Sequence, residues 1–251
     1  MRAIKYLIPV FLLYLISCSE KGDQYVELRL GDFLVENSAV SMKLISDGAT
    51  EKYSLNYSDL TSYYKIKPGV YQIQVVVHEK VILEKKIGFA AGGKFTLFIY
   101  GLLSENQVVN QTTTSSQLHS IVSGAEARTA NGYLPQMRLL DDHYEGGKTT
   151  AQMRWVNLVP FEKSFTAEAS LDSDINFGTT AYGNDHASQK FDIGTYSVIW
   201  RSKSSPIKRL EMSQALDKQT LYTFFLIPEI QGKTGDLKVV TGESSKTNKE
   251  E

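Results

Sequence analysis

One pattern of glycine, tyrosine and alternating apolar residues occurs twice in this chain. The distance between its two occurrences limits the fold more than any other feature. Ile66-Lys67-Pro68-Gly69-Val70-Tyr71-Gln72-Ile73-Gln74-Val75 is matched by Phe191-Asp192-Ile193-Gly194-Thr195-Tyr196-Ser197-Val198-Ile199-Trp200. Tyr57 and Tyr182, Ile66 and Phe191, Gly69 and Gly194, Tyr71 and Tyr196, and Ile73 and Val198 all lie 125 residues apart. Downstream, Phe95-Thr96-Leu97-Phe98 aligns with Leu221-Tyr222-Thr223-Phe224 at 126, and upstream Tyr25 to Leu30 aligns with Gln152 to Asn157. A period this long, in a chain of 251 residues, means two copies of a domain and not a solenoid of short repeats.

Each copy reads as β. Val40, Met42 and Leu44 alternate with Ser41 and Lys43, and Tyr71, Ile73 and Val75 alternate with Gln72 and Gln74. Tyr196, Val198 and Trp200 do the same in the second copy. Alternation at period two, rich in β-branched and aromatic residues, indicates strands with one buried face. Asp47-Gly48, Pro68-Gly69, Gly92-Gly93 and Ser204-Ser205-Pro206 punctuate them as turns. The expected architecture is all-β: two tandem immunoglobulin-like or transthyretin-like antiparallel β-sandwich domains. Gly69 and Gly194 supply a turn conformation that a Cβ would penalise. Tyr71 and Tyr196 then bury their rings and need a partner for the hydroxyl. With Tyr57 and Tyr182 they make a repeated structural framework.

The second copy also reads Met153-Arg154-Trp155-Val156-Asn157-Leu158-Val159-Pro160, then Tyr182-Gly183, then Ile193-Gly194-Thr195-Tyr196-Ser197-Val198. This resembles the bacterial "domain of unknown function 4397" family, whose pattern runs R-[FV]-V-N-x-[SA]-P, then Y-G, then P-A-G-x-Y. The first copy keeps Tyr57 and Pro68-Gly69-Val70-Tyr71 but has Ser58 in place of the family's Gly and lacks the Asn-x-x-Pro start. The resemblance implies tandem β-sandwiches in secreted or lipid-anchored proteins. It implies no activity.

The N-terminus carries a different message. Arg2 and Lys5 precede an apolar run from Leu7 to Ile16, which is far short of a membrane span. Leu15-Ile16-Ser17-Cys18 follows, and Cys18 is the only cysteine of the chain. The run resembles the lipobox of bacterial lipoproteins, which implies cleavage before Cys18 and acylation of that residue. Each buried methylene of an acyl chain contributes about 0.8 kcal/mol to membrane attachment. The expected organisation is a signal peptide over 1–17, a tether over 18–24 and a first sandwich over 25–142 with a polar insertion at 104–131. A second sandwich over 148–242 and a disordered tail over 243–251 complete it. Asp141-Asp142 and Gly146-Gly147 read as the linker.

Composition and spacing exclude several chemistries. Lys plus Arg is 27 against 28 Asp plus Glu, so there is no cationic surplus for nucleic acid. A single cysteine rules out an intrachain disulfide. The four histidines share no metal-ligand spacing. His143 beside Asp141 and Asp142 reads as a solvated linker. Asp172-Ser173-Asp174-Ile175-Asn176 starts like a calcium loop, but Phe177 and Gly183 stand where the pattern needs Gly and Glu. Ser205-Pro206-Ile207-Lys208 and Lys233-Thr234-Gly235 match two elements of penicillin-interacting enzymes without the third. Lys203, Lys208 and Arg209 read as a solvated hairpin tip.

No catalytic residue, metal or cofactor is therefore expected. Tyr63 and Tyr64 are the candidate binding patch, because exposed tyrosines stack on sugars and anchor protein partners. The expected protein is a non-catalytic, lipid-anchored envelope protein, at the outer membrane on its periplasmic face or at the cell surface. It would bind envelope proteins or act as a structural spacer. The alternative is a carbohydrate-binding accessory lipoprotein of an outer-membrane uptake system.

Overall fold

The computed structural model describes residues 25–35, 39–103, 133–162, 164–205, 207–229 and 236–246. The signal peptide, the tether with Cys18, the whole polar insertion and residues 247–251 lie outside them. Among the described residues there are sixteen strands and no helix. The first unit holds β1 (Val26–Val35), β2 (Val40–Ser46), β3 (Ala49–Leu55), β4 (Tyr64–Ile66), β5 (Gly69–Val77), β6 (Lys80–Phe89), β7 (Lys94–Leu102) and β8 (Gln136–Asp141). The second holds β9 (Thr150–Asn157), β10 (Ser164–Ser170), β11 (Asp174–Ala181), β12 (Asp185–Asp192), β13 (Gly194–Ser202), β14 (Arg209–Leu216), β15 (Thr220–Pro228) and β16 (Leu237–Ser245). Strand β16 includes Glu243, Ser244 and Ser245, which the sequence assigned to a tail.

The two units have one topology. Sheets β4-β1-β7-β8 and β3-β2-β5-β6 form the first sandwich, and β12-β9-β15-β16 and β11-β10-β13-β14 form the second. Lettered from its first strand, each unit is D-A-G-H over C-B-E-F. The immunoglobulin order of ABED over CFG is different, which leaves the transthyretin-like alternative. The sandwiches are not wholly antiparallel: β1 pairs with β7, and β9 with β15, in parallel. The first strand of each unit thereby sits mid-sheet, where both of its edges are hydrogen-bonded.

Alternation builds the cores. Val26, Leu28 and Leu30 of β1 meet Met42, Leu44, Ile73, Val75, Leu97 and Ile99 inside the first sandwich. Ala151, Met153 and Trp155 meet Ala167, Ala169, Val198, Trp200, Phe224 and Leu226 inside the second. Strands β5 and β13 open at Gly69 and Gly194, whose φ values of 155° and 156° are unfavourable for any residue with a Cβ. The Tyr71 hydroxyl donates to the Lys67 carbonyl at 3.0 Å, and Tyr196 bonds to the backbone of Asp192, the matching position.

The structure corrects the alignment of the copies outside this framework. Leu28 faces Phe95, and Met153 faces Tyr222, in the two parallel pairs. The first strands therefore correspond at 125, which places Arg29 on Arg154. The seventh strands correspond at 127, with Phe95 on Tyr222 and Phe98 on Phe225. A shift of one residue would exchange core and outer face along the whole strand. The added length lies in one hairpin. His78 and Glu79, both with positive φ, close β5 onto β6 in a two-residue turn. The link from β13 to β14 instead takes residues 203–208.

Candidate functional site

Strands β1 and β7, and β9 and β15, are buried on both faces, and the outer faces of their two sheets pack on one another. On β7, Leu97 and Ile99 face the core while Thr96, Phe98 and Tyr100 face outward; on β15, Phe224 and Leu226 face the core while Thr223, Phe225 and Ile227 face outward. Phe33 stacks on Phe225 at 4.7 Å between ring centroids, and Phe98 meets Phe225 edge-on at 5.2 Å. Two of the four framework tyrosines, Tyr57 and Tyr182, belong to this junction, while Tyr71 and Tyr196 stay in the two cores. Tyr57 donates to the Pro228 carbonyl at 2.6 Å, and Tyr182 packs on Tyr100 and Tyr133 at 5.7 and 5.0 Å.

A buried carboxylate lies at one end of the junction. Asp142, just beyond β8, is wholly buried. Arg29 of β1 reaches its Oδ2 at 3.4 Å, and Arg154 of β9 pairs with its Oδ1. Thr96 donates to the same carboxylate, and so does the Tyr63 hydroxyl at 2.7 Å. The two arginines act reciprocally. Arg29 Nε donates to Thr96, and Arg154 Nε donates to Thr223 at the equivalent place. Arg29 Nη1 donates to the Glu243 carbonyl of the second unit, and Arg154 Nη1 to the Asp141 carbonyl of the first. The match between the copies ends at Asp142, whose counterpart is Ser244. The Ser244 hydroxyl donates to the Asp142 carbonyl at 2.8 Å. Gly242 makes room for this geometry: a Cβ there would lie 2.8 Å from the Arg29 guanidinium.

Burial sets the electrostatics. It pulls the Arg154 guanidinium below its ordinary value, against the opposing pull of Asp142. Burial, and then the Asp142 charge, push the Tyr63 phenol upward. A guanidinium left unpaired here costs several kcal/mol, so one carboxylate holds two arginines from different units.

Beside Asp142 opens a cleft of about 310 Å³, lined by Tyr25, Lys65, Lys94, His143, Tyr144 and Lys246 among others. Lys94 pairs with Glu27 at 3.1 Å and donates to the Ser245 carbonyl. His143 is held at both ring nitrogens, by Asp141 at 2.6 Å and by the Gly92 carbonyl at 3.1 Å. Burial works against a charged ring, but these two acceptors outweigh it and the His143 pKa is raised.

Tyr63 and Tyr64 have different surroundings. Arg29 and Lys94 each lie 4.6 Å from the Tyr63 ring centroid, and its hydroxyl is engaged by Asp142. Tyr64 is 37% exposed and packs on Tyr53 at 4.7 Å. Lys208 pairs with Glu162, and Asn176 accepts the Gly178 amide. No group of metal-ligating side chains occurs among the described residues, and Lys233 to Gly235 lie outside them. The site residues that sequence reading missed are Arg29, Thr96, Asp142, Arg154 and Thr223. Their signal is Arg29-x-x-Asp32 repeated as Arg154-x-x-Asn157, visible once the first strands are aligned at 125.

No family model and no curated protein sequence matches this chain. Among solved structures it is similar to the tip fimbrial protein Mfa3 of Porphyromonas gingivalis, at 10% identity and a TM-score of 0.25, over 88% of this chain and 99% of that one. It is similar to the fimbrial anchor protein Mfa2 of the same organism, at 9% identity and 0.24, over 88% and 98%. It is also similar to the TIE protein of Bacillus anthracis, at 9% identity and 0.25, covering 88% of this chain but only 42% of that one.

Proposed function

We propose that this chain is a non-catalytic envelope protein, lipid-anchored through Cys18, that holds two sandwiches as one stiff body for contact with other envelope proteins. The observation behind this reading is the reciprocal arginine clamp on Asp142, which joins the units by desolvated charge as well as by apolar packing. Such a junction suits a fixed spacing and not a hinge. The resemblance to the "domain of unknown function 4397" family, and the lipobox-like run ending at Cys18, support the envelope part of the reading. Cells fed a clickable fatty acid should label the wild-type chain, and Cys18→Ala should abolish both label and membrane fractionation. An unlabelled wild-type chain overturns the anchor. Crosslinking in native membranes followed by capture should then return defined envelope proteins.

One observation favours the second reading, an accessory role in carbohydrate uptake. Tyr64 is partly exposed and braced by Tyr53, and a braced aromatic ring is a surface on which a sugar stacks. Retention on immobilised polysaccharides that falls in Tyr64→Ala would support it, and retention that does not change would end it for this patch.

A further inference from the structure

The cleft beside Asp142 is formed where the chain enters and leaves the folded body. Tyr25 precedes β1 and Lys246 follows β16, and both line it. Tyr25 stands seven positions after Cys18, so the cleft lies no farther than about 25 Å of extended chain from that cysteine. Its charge is unbalanced. Each nearby carboxylate is already engaged: Asp142 by Arg29 and Arg154, Asp141 by His143, and Glu27 by Lys94. Glu27 stands opposite Lys65 in register, but its ion pair is with Lys94. Among the described residues Lys65 and Lys246 make no ion pair, so within the folded body two ammonium groups at the cleft have no carboxylate partner.

We propose that this cleft takes the phosphate of an anionic lipid headgroup, so that the body rests on the membrane by its domain junction. Lys65 and Lys246 supply the attraction, and Tyr25 and Tyr144 flank it with rings suited to the interface between water and lipid. The proposal rests on the anchored reading for its orientation, because an acylated Cys18 brings the cleft within reach of the headgroup layer.

The test uses residues 19–251, which contain all the described strands and no leader to insert in a bilayer. This chain should sediment with vesicles containing roughly 30% phosphatidylglycerol and not with phosphatidylcholine alone, and the binding should weaken as salt rises. Lys65→Glu with Lys246→Glu should weaken it by about tenfold or more. The same charge change at exposed Lys52 and Lys86, on the far sheet of the first unit, should leave it intact. Equal binding to both vesicles, no binding, or equal loss in both double variants overturns the proposal. Titration with inorganic phosphate separates the sources: saturation by phosphate without vesicle binding overturns the headgroup assignment. Fatty-acid labelling of the full chain stands apart. Vesicle binding without labelling removes the anchor alone, and labelling without vesicle binding removes the cleft alone.

Discussion

Asp32 and Asn157 occupy the same place in the two sandwiches. Asp32 Oδ1 accepts the Leu34 amide at 3.0 Å, and Asn157 Oδ1 accepts the Val159 amide at 3.1 Å. Their second atoms differ. Asn157 Nδ2 donates to the Thr180 carbonyl at 3.1 Å. Asp32 Oδ2 is buried with no hydrogen-bond partner among the described residues. Burial pushes the Asp32 carboxyl up to about 7; the Leu34 amide opposes this and the Asp59 charge adds to it.

A raised carboxyl stabilises the fold only while it is protonated. Its contribution is complete below the ordinary value of 3.8 and is lost as pH rises to about 7. Asp32→Asn should reproduce the Asn157 arrangement, with the new amide donating to the carbonyl of Leu55, the residue at the Thr180 position. The variant should match wild type near pH 4 and exceed it by a few kcal/mol at pH 8. His143, whose pKa is also raised, loses its contribution over neutral pH, but equally in both proteins. Urea unfolding at a series of pH values checks this, and parallel profiles for the two proteins would contradict it.

Asp142 should be the least replaceable polar residue of the junction. Asp142→Ala leaves Arg29 and Arg154 buried without a counter-charge, which costs about 3–5 kcal/mol. Combining Arg29→Met, Arg154→Met and Asp142→Leu should recover most of that loss, because the desolvation cost disappears with the charges. Denaturant midpoints measure both. A loss under about 1 kcal/mol for Asp142→Ala would mean that water reaches the site.

The double-sandwich architecture was legible because Tyr71, Ile73 and Val75 alternate and because Gly69 and Gly194 recur at a fixed distance. The junction was not. On strands buried on both faces, apolar and polar residues no longer mark inside and outside. Phe224-Phe225-Leu226-Ile227 therefore reads as one core strand, although Phe225 and Ile227 face the other unit. Arg29 and Arg154 look like ordinary surface cations until each is known to sit mid-sheet. Asp142 looks like linker because its partners are 113 and 12 residues away. The parallel pairing was equally hidden, since local turns specify antiparallel neighbours but say nothing of a strand that returns beside the first.

Phe225 offers a test of stiffness. Its ring touches Phe33 and Phe98 of the other unit, so Phe225→Ala removes junction packing while leaving the second core's inward face intact. The expected loss is about 3–5 kcal/mol. Calorimetry should show one transition for wild type and two for the variant, as the sandwiches melt separately. Two transitions already present in wild type would argue that the junction does not couple them.

Tyr63 and Tyr64 adjoin in sequence but should respond differently. Tyr63→Phe keeps the ring between Arg29 and Lys94 and removes only the hydroxyl that donates to buried Asp142. A hydrogen bond to a buried charge contributes roughly 1.5–3 kcal/mol. Tyr63→Ala also removes the ring that lies against Arg29 and Lys94 and should cost more. Tyr64 is partly exposed and contacts Tyr53, so Tyr64→Ala should change stability by less than about 1 kcal/mol. Only Tyr64→Ala therefore gives a clean readout of surface binding. A joint substitution of both tyrosines would mix binding with damage to the junction. Chemical denaturation of the three single variants separates these effects, and equal losses for Tyr63→Phe and Tyr64→Ala would contradict the assignment of Tyr63 to the Asp142 site.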